Sequence, residues 1–543
     1  MIVFDKKTEK EPIPDYCFER DGALVSPVLD PNNTPVELYW AVPGLSLVAI
    51  VRTPENENLY LVYEPSLTPF EKEVLERLYS GVRNILILED VYNEDDKANA
   101  LYRAMDKYME RFGIELPLVS IYKIRYYLNR NYLGWGILEP LQHDSSIEDI
   151  SCDGINVPVF LFHRKYRNIR TTIVFKNTKD LDTMVVLFAQ KTDKHISLAT
   201  PIVDTTLSDG SRIQLTYGTT VSAHGSSFTI RKFNEVPFSP IDLILNKTFT
   251  IDEMVYFWMA VEYNQSVLFI GGTASGKTTS LNAVAQFIPK LSKVITIEDT
   301  REITLSHENW IASVVPDPTG SSEERIEITM FDLLKSAMRQ RPEFILVGEV
   351  RGVEAQTLFQ AMNTGHTTFS TLHAGSVDSA IHRLENEPLN VPKATIESLN
   401  IVSSQVRLYR DGKQIRRCNE IVEIIGLSET KNVVVNTVFK YDPASDDVVH
   451  SGQSQIYSRI MEIAGRDQTW LIQERRKRSQ FIRAMVEQKI RDYRDVSELL
   501  WMYDAMPDMV ADSLDDLSEL LTSGITSPKL YRNMKIPLDV LSR

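Results

Sequence analysis

The stretch 270-IGGTASGKTTSLNAV-284 limits what this chain can fold into more than any other. It meets the pattern G-x-x-x-x-G-K-T at Gly271, Gly276, Lys277 and Thr278. An apolar run, 265-QSVLFI-270, comes before it. After it Leu281, Val284, Ala285 and Ile288 recur at helical spacing. Strand, glycine-rich turn, then helix is the context in which this pattern makes a phosphate cradle. Gly271 and Gly272 let the backbone turn tightly, with no Cβ between its amides and a ligand. The amides of Thr273, Ala274, Ser275, Gly276 and Lys277 can then point inward at phosphate oxygens. The helix N-terminus adds a partial positive charge. Lys277 is expected to reach the β/γ-phosphates and the Thr278 hydroxyl to ligate Mg²⁺, with Thr279 in the same turn.

Binding a nucleotide does not hydrolyse it, and two further apolar runs supply candidate acids. The run 293-KVITIED-299 ends in Glu298 and Asp299, and 344-FILVGEVRG-352 carries Glu349. In an open α/β sheet catalytic groups gather at the carboxyl ends of strands, beside the phosphate loop. A single acid after an apolar strand is often only a helix cap. Two of them downstream of such a loop point to phosphoryl chemistry. A fourth run, 367-TTFSTLHAG-375, is bracketed by His366 and His373. His373 falls at its carboxyl end and is the stronger candidate for a place near the γ-phosphate. The expected fold class is α/β. A C-terminal phosphate-loop domain would have a mostly parallel sheet with helices on both faces, preceded by an N-terminal α/β domain.

The chain has 543 residues, enough for at least two domains with full cores. No apolar run approaches the ~18–20 residues a membrane span needs, and 1-MIVFDKKTEKEPIPDY-16 lacks signal-peptide architecture. Cys17, Cys152 and Cys418 have no metal-ligand spacing and suit a reducing cytoplasm. The net charge of −15 argues against a general nucleic-acid binder. One basic cluster, 475-RRKR-478, reads most simply as a solvated helix face.

The expected organisation is a polar start (1–35), a variable α/β region (36–115) and a turn-rich α/β domain (116–232). A proline-punctuated linker (233–243) leads to the phosphate-loop domain and its helical extension (244–543). Within 36–115, 45-LSLVAIV-51 and 85-ILILE-89 read as strands and 70-FEKEVLERLYSGV-82 as a helix. The pair 419-NEIVEIIGL-427 and 432-NVVVNTVFKY-441 reads as two strands closing the sheet. The segment 316-PDPTGSSEER-325 reads as a loop, and 508-DMVADSLDDLSELL-521 as an acidic helix.

In order, 271-GGTASGKT-278, 297-IEDT-300, 345-ILVGEVRG-352 and 366-HTTFSTLHAGS-376 resemble the Walker A, Asp box, Walker B and His box of the type II/IV secretion ATPase superfamily. The upstream stretches 137-ILEPLQHDSSIEDI-150 and 209-DGSRIQ-214 are similar to its N-terminal half. The wording of the phosphate loop, 336-SAMRQRPEFILVGEVRG-352 and 479-SQFIRAMVEQKIRDYRDVSELL-500 most resemble the archaeal branch, above all the archaellum motor ATPase. Three scattered cysteines cannot make the four-cysteine zinc insertion usual in bacterial pilus-assembly and general-secretion motors.

The resemblance implies ATP and Mg²⁺ as ligands, a RecA-like C-terminal domain and a homo-hexameric ring. It implies Glu298 as the base that orients the attacking water, and Glu349 as support for Mg²⁺ and its water shell. His373, with His366, would sense the γ-phosphate. Arg212 and Arg231 fall where arginines of the family's N-terminal half reach the site. A guanidinium suits that role because charge builds on the phosphoryl oxygens in the transition state. Arg339 and Arg351 are further candidates, equally readable as structural ion pairs. The implied setting is cytoplasmic, peripheral at the inner face of the membrane, with a polytopic platform protein and accessory cytoplasmic motor proteins as partners. Archaellum, pilus and secretion machine stay open. So do a RecA-type nucleic-acid translocase, which the acidic balance disfavours, and a nucleotide-gated scaffold, which the pair Glu298 and Glu349 disfavours.

Overall fold

A computed structural model describes residues 13–86, 94–233, 236–316, 328–410, 413–430 and 432–522. The chain divides into two compact units, residues 1–234 and 235–543. Each is α/β, built on its own nine-stranded sheet.

The first unit holds β1 (Thr34–Val42), β2 (Ser46–Arg52), β3 (Asn58–Tyr63), β4 (Ile147–Cys152), β5 (Pro158–His163), β6 (Arg167–Val174), β7 (Ile202–Thr206), β8 (Arg212–Thr216) and β9 (Ser227–Arg231). Their order across the sheet is β1-β2-β3-β6-β5-β4-β9-β8-β7. The strands of 36–115 and those of 116–232 therefore share one sheet, joined by the parallel pair β3–β6. Alternation along β8 and β9 buries Ile213, Leu215, Phe228 and Ile230 against the helix Thr178–Lys191. Helices Pro69–Leu86, Glu94–Phe112 and Leu118–Tyr132 form a separate cluster around Leu78, Leu101, Met105 and Ile124. The strand expected over 45–51 is β2. The run 85–89 is not a strand where it is described, because residues 85 and 86 finish the helix Pro69–Leu86; residues 87–89 lie outside the described residues.

The second unit holds β10 (Val267–Gly271), β11 (Val294–Glu298), β12 (Trp310–Val314), β13 (Phe344–Val347), β14 (Thr367–His373), β15 (Ile401–Arg410), β16 (Lys413–Leu427), β17 (Val433–Asp442) and β18 (Asp447–His450). The order is β12-β11-β13-β14-β10-β15-β16-β17-β18. Pairing is parallel from β12 to β15 and antiparallel from β15 to β18. Both faces are covered. Val267 and Phe269 of β10 enter one core, with helices Ile251–Glu262 and Gln468–Glu487. Leu268 and Ile270 enter the other, with helices Met330–Arg339 and Glu354–Asn363. A strand buried on both faces reads as an unbroken apolar run, which is why β10, β11 and β13 do. Helix Ile251–Glu262 is apolar nearly all round and nearly all buried, as such a pattern requires. A capping box of Thr250 and Glu253 starts it.

Two expectations change here, and a third falls almost wholly outside the described residues. The acidic stretch 508–521 makes two short helices, Pro507–Asp512 and Leu517–Thr522, not one. The loop 316–325 lies, beyond its first residue, outside the described residues. Within 475-RRKR-478, Arg478 is not on a solvated face. It is buried, paired with Glu262 at 2.6 Å and Glu474 at 2.8 Å, with its guanidinium 4.4 Å from the ring centre of Trp258. Among the described residues no helix is long and apolar enough to cross a membrane.

Candidate active site

The parallel strands end together, and the chemistry-bearing residues follow from that. Gly271 closes β10, Glu298 closes β11, and His373 closes β14 in register with Gly271. Glu349 stands two residues beyond the end of β13. The helix Lys277–Ala285 starts at Gly276, whose φ of 96° is left-handed. Gly271 has φ 153°, and a Cβ there would lie 2.3 Å from the Gln405 carbonyl oxygen and 2.5 Å from Ser275 Oγ. Those two glycines are required by the turn. Gly272 is not: a Cβ there would meet open space, so its value lies in leaving the rim of the loop clear. Thr273 and Ala274 are exposed, Ser275 is buried, and Thr278 and Thr279 are half-buried in the first helical turn.

Lys277 is buried and donates through Nζ to the Gly272 carbonyl at 2.9 Å. Burial lowers its pKa, against an opposite pull from Glu349 and Glu302. For Glu349, burial raises the pKa, but the Arg351 hydrogen bond at 2.8 Å and the charges of Arg351, His373 and Lys277 outweigh it. The net shift is downward, so this carboxylate stays charged. His373 Nε2 lies 3.5 Å from Glu349 Oε1, and burial followed by the Lys277 charge lowers its pKa. The loop carrying Glu349 is pinned at both ends. Glu354 accepts from the amides of Arg351 and Gly352, both at 2.7 Å, and Thr371 Oγ1 donates to the Gly348 carbonyl at 2.7 Å.

Glu298 is the most perturbed acid of the group. It is 2% exposed, and burial pushes its pKa up to about 8. Oε1 accepts from the amides of Glu302 and Ile303, both at 3.0 Å, which partly offsets that push. Oε2 is buried with no partner among the described residues. The side chain packs on Gly348, where a Cβ would sit 3.2 Å from Glu298 Cγ. The arrangement offers a proton acceptor close to its switching point, a cation for phosphate and a charged carboxylate beside a histidine.

Lys277, Glu349 and His373 thus come together, and Glu298 packs on Gly348, the residue before Glu349. His366 does not join them. It precedes β14, at the opposite end of a seven-residue strand, and so roughly 20 Å from His373 at ~3.3 Å per residue. There it contacts the Thr364 hydroxyl and the Ala361 carbonyl, beside the end of helix Glu354–Asn363. Arg351 is the partner of Glu349, and Arg339 ends helix Met330–Arg339. Arg212 and Arg231 belong to the first unit, directly opposite each other on β8 and β9. Glu354, which holds the Glu349 loop, has no motif to announce it; its position at a helix start three residues after Arg351 is its only sequence signal. Arg416, whose Nε–H donates to the Ala274 carbonyl at 3.0 Å, has none, because only strand pairing brings it to the loop.

Comparison with known proteins gives the family. The family described as Type II/IV secretion system protein matches residues 173–502. An uncharacterized protein of Methanocaldococcus jannaschii is 36% identical over 494 residues, covering 86% of this chain and 88% of that protein. The type IV secretion system protein PtlH of Bordetella pertussis is 30% identical over 227 residues, 38% of this chain and 66% of PtlH. Among solved structures, the ATPase DotB of Legionella pneumophila matches 67% of this chain and 90% of its own at 17% identity, with a TM-score of 0.39. With the family matched over more than half of its length, and a relative alike across most of both chains, this protein belongs to the type II/IV secretion system protein family.

Proposed function

We propose that the chain is a motor ATPase that hydrolyses ATP to ADP and phosphate and passes the work to a polytopic membrane platform protein. The observation that carries this is the convergence of Lys277, Glu349 and His373 at the ends of β10, β13 and β14, with a buried, proton-poised Glu298 beside them. The residues fit a triphosphate. Gly271 and Gly276 hold the turn, Gly272 leaves its rim open, and the Lys277 ammonium waits on a carbonyl that a phosphate oxygen can replace. They also fit Mg²⁺, with Thr278 in the first helical turn and a charged Glu349 opposite. Bound Mg²⁺ would neutralise charge developing on the phosphoryl oxygens. Glu298 takes the proton of the attacking water, and His373 reports the terminal phosphate to Glu349. Arg212 and Arg231 supply cations from the first unit.

The filament form of this work, a homo-hexameric ring under an archaellum at the inner face of the membrane, rests on the resemblance to the archaellum motor and on the archaeal relative. Assembly of an archaeal pilus, or secretion, is the second reading, favoured by the secretion-system name of PtlH. The test combines nucleotide binding, turnover and pull-down of a platform protein encoded beside the gene. Wild type should bind ATP, hydrolyse it and retain the platform. Lys277→Ala should lose turnover altogether, and Glu298→Gln should bind ATP but not turn it over. Wild-type turnover in Lys277→Ala would remove the phosphate-loop assignment. DNA-stimulated hydrolysis with no platform binding would put a translocase in its place.

A further inference from the structure

The β15–β16 hairpin outruns the strand that carries the phosphate loop. β10 pairs with β15 from Val267↔Ile401 to Gly271↔Gln405, while β15 and β16 stay paired out to Arg410↔Lys413. Residues 406–410 and the returning 413–417 thus continue past the carboxyl end of β10, on the flank away from β14. Arg416 lies on the returning strand, opposite Arg407. Its Nε–H donates to the Ala274 carbonyl at 3.0 Å. Ala274 has φ 57°, a left-handed conformation without a glycine's freedom, so this bond props a strained point of the loop. A Cβ on Gly276 would lie 3.4 Å from Arg416 Cδ, which places the arm along the outer wall of the loop. The side chain is exposed, and among the described residues its two terminal NH₂ groups have no protein partner.

The two flanks of the loop differ in chemistry. Toward β14 and β13 lie His373 and Glu349, within electrostatic reach of Lys277. That flank suits the terminal phosphate. A nucleotide is a linear ligand, so its nucleoside leaves the cradle on the other flank, where Arg416 stands. A guanidinium is planar, weakly hydrated and stacks on aromatic faces, so it suits a heterocyclic base as well as a carbonyl.

We propose that Arg416 is the nucleoside platform of the site: its Nε–H fixes the loop at Ala274 while its guanidinium plane receives the purine base. This rests on the nucleotide-binding reading above and adds a specificity residue outside the motifs. One side chain would then link the shape of the loop to the presence of a base. Inorganic tripolyphosphate, which has phosphates and no base, separates that role from a general phosphate contact.

The test is calorimetric binding of ATP, ADP and tripolyphosphate to the full-length protein, with Mg²⁺ present. Arg416→Ala should weaken ATP and ADP by the same factor, roughly tenfold for a stacked cation. Tripolyphosphate should bind as it does to wild type. Arg416→Lys keeps a donor for Ala274 but lacks the plane, and should lose most of the same base-dependent affinity. An equal loss for all three ligands would overturn the proposal, making Arg416 a loop prop or a phosphate ligand. Unchanged ATP affinity in both variants would also overturn it. Wild type binding none of the ligands would sink the nucleotide reading itself, a different result from either.

Discussion

Glu298 shows what a single buried acid contributes. In the unfolded chain a glutamate titrates near ~4.3, whereas in the fold burial holds this one at about 8. Between those values the native state keeps a proton that the unfolded chain has released. Stability from this group is therefore highest at low pH and falls as pH rises toward 8. Glutamine keeps the carbonyl that accepts from the amides of Glu302 and Ile303 but has nothing to titrate. The melting temperature of the nucleotide-free wild type should drop more between pH 5 and pH 8 than that of Glu298→Gln. Parallel pH profiles for the two proteins would show that the carboxyl is not held protonated. The same shift suits the base proposed for hydrolysis, because a base works best with its pKa close to the working pH.

At the scale of elements, helix Gln468–Glu487 is locked to helix Ile251–Glu262 by ionic groups the sequence hid. Arg478 pairs with Glu262 on helix Ile251–Glu262 and with Glu474 one turn back, and stacks on Trp258. Asp504 lies close by, and burial followed by the Glu262 charge pushes its pKa up to about 7. Removing the cation strands several carboxylates, so Arg478→Met should cost ~3–5 kcal/mol, read as a lower urea midpoint. A loss under ~1 kcal/mol would mean that solvent screens the group. The run 475-RRKR-478 could not disclose this. A charge run reads as surface, and only the helix register turns its fourth residue inward. By contrast β10, β11 and β13 were legible as apolar runs that lead into residues with chemistry, and β14 was legible by its bracketing histidines. What periodicity cannot carry is contact between distant segments. Arg416 reaches Ala274 across 142 positions, and β3 meets β6 across more than a hundred. His366 fails for the opposite reason: it stands seven positions before His373, and in a strand that is the strand's whole length, so the two mark opposite ends of β14.

For the whole molecule, the question is why Arg212 and Arg231 stand opposite each other. Directly opposed like charges on neighbouring strands destabilise a sheet by a few tenths of a kcal/mol to ~1 kcal/mol. Asp204, 2.7 Å from Arg212, and Asp149, opposite Arg231 on β4, reduce that cost. In the proposed function the two cations serve the phosphoryl group. On that proposal hydrolysis needs residues of both units. Arg212→Ala and Arg231→Ala should each lower kcat by something like ~10³-fold, with ATP affinity less affected. Their melting temperatures should change little, since each substitution removes a like-charge contact together with the attraction to Asp204 or Asp149. The combination of lost turnover and kept stability separates a catalytic cation from a structural one. Should kcat hold at the wild-type value in both variants, hydrolysis is confined to the second unit and the motor needs another source of coupling.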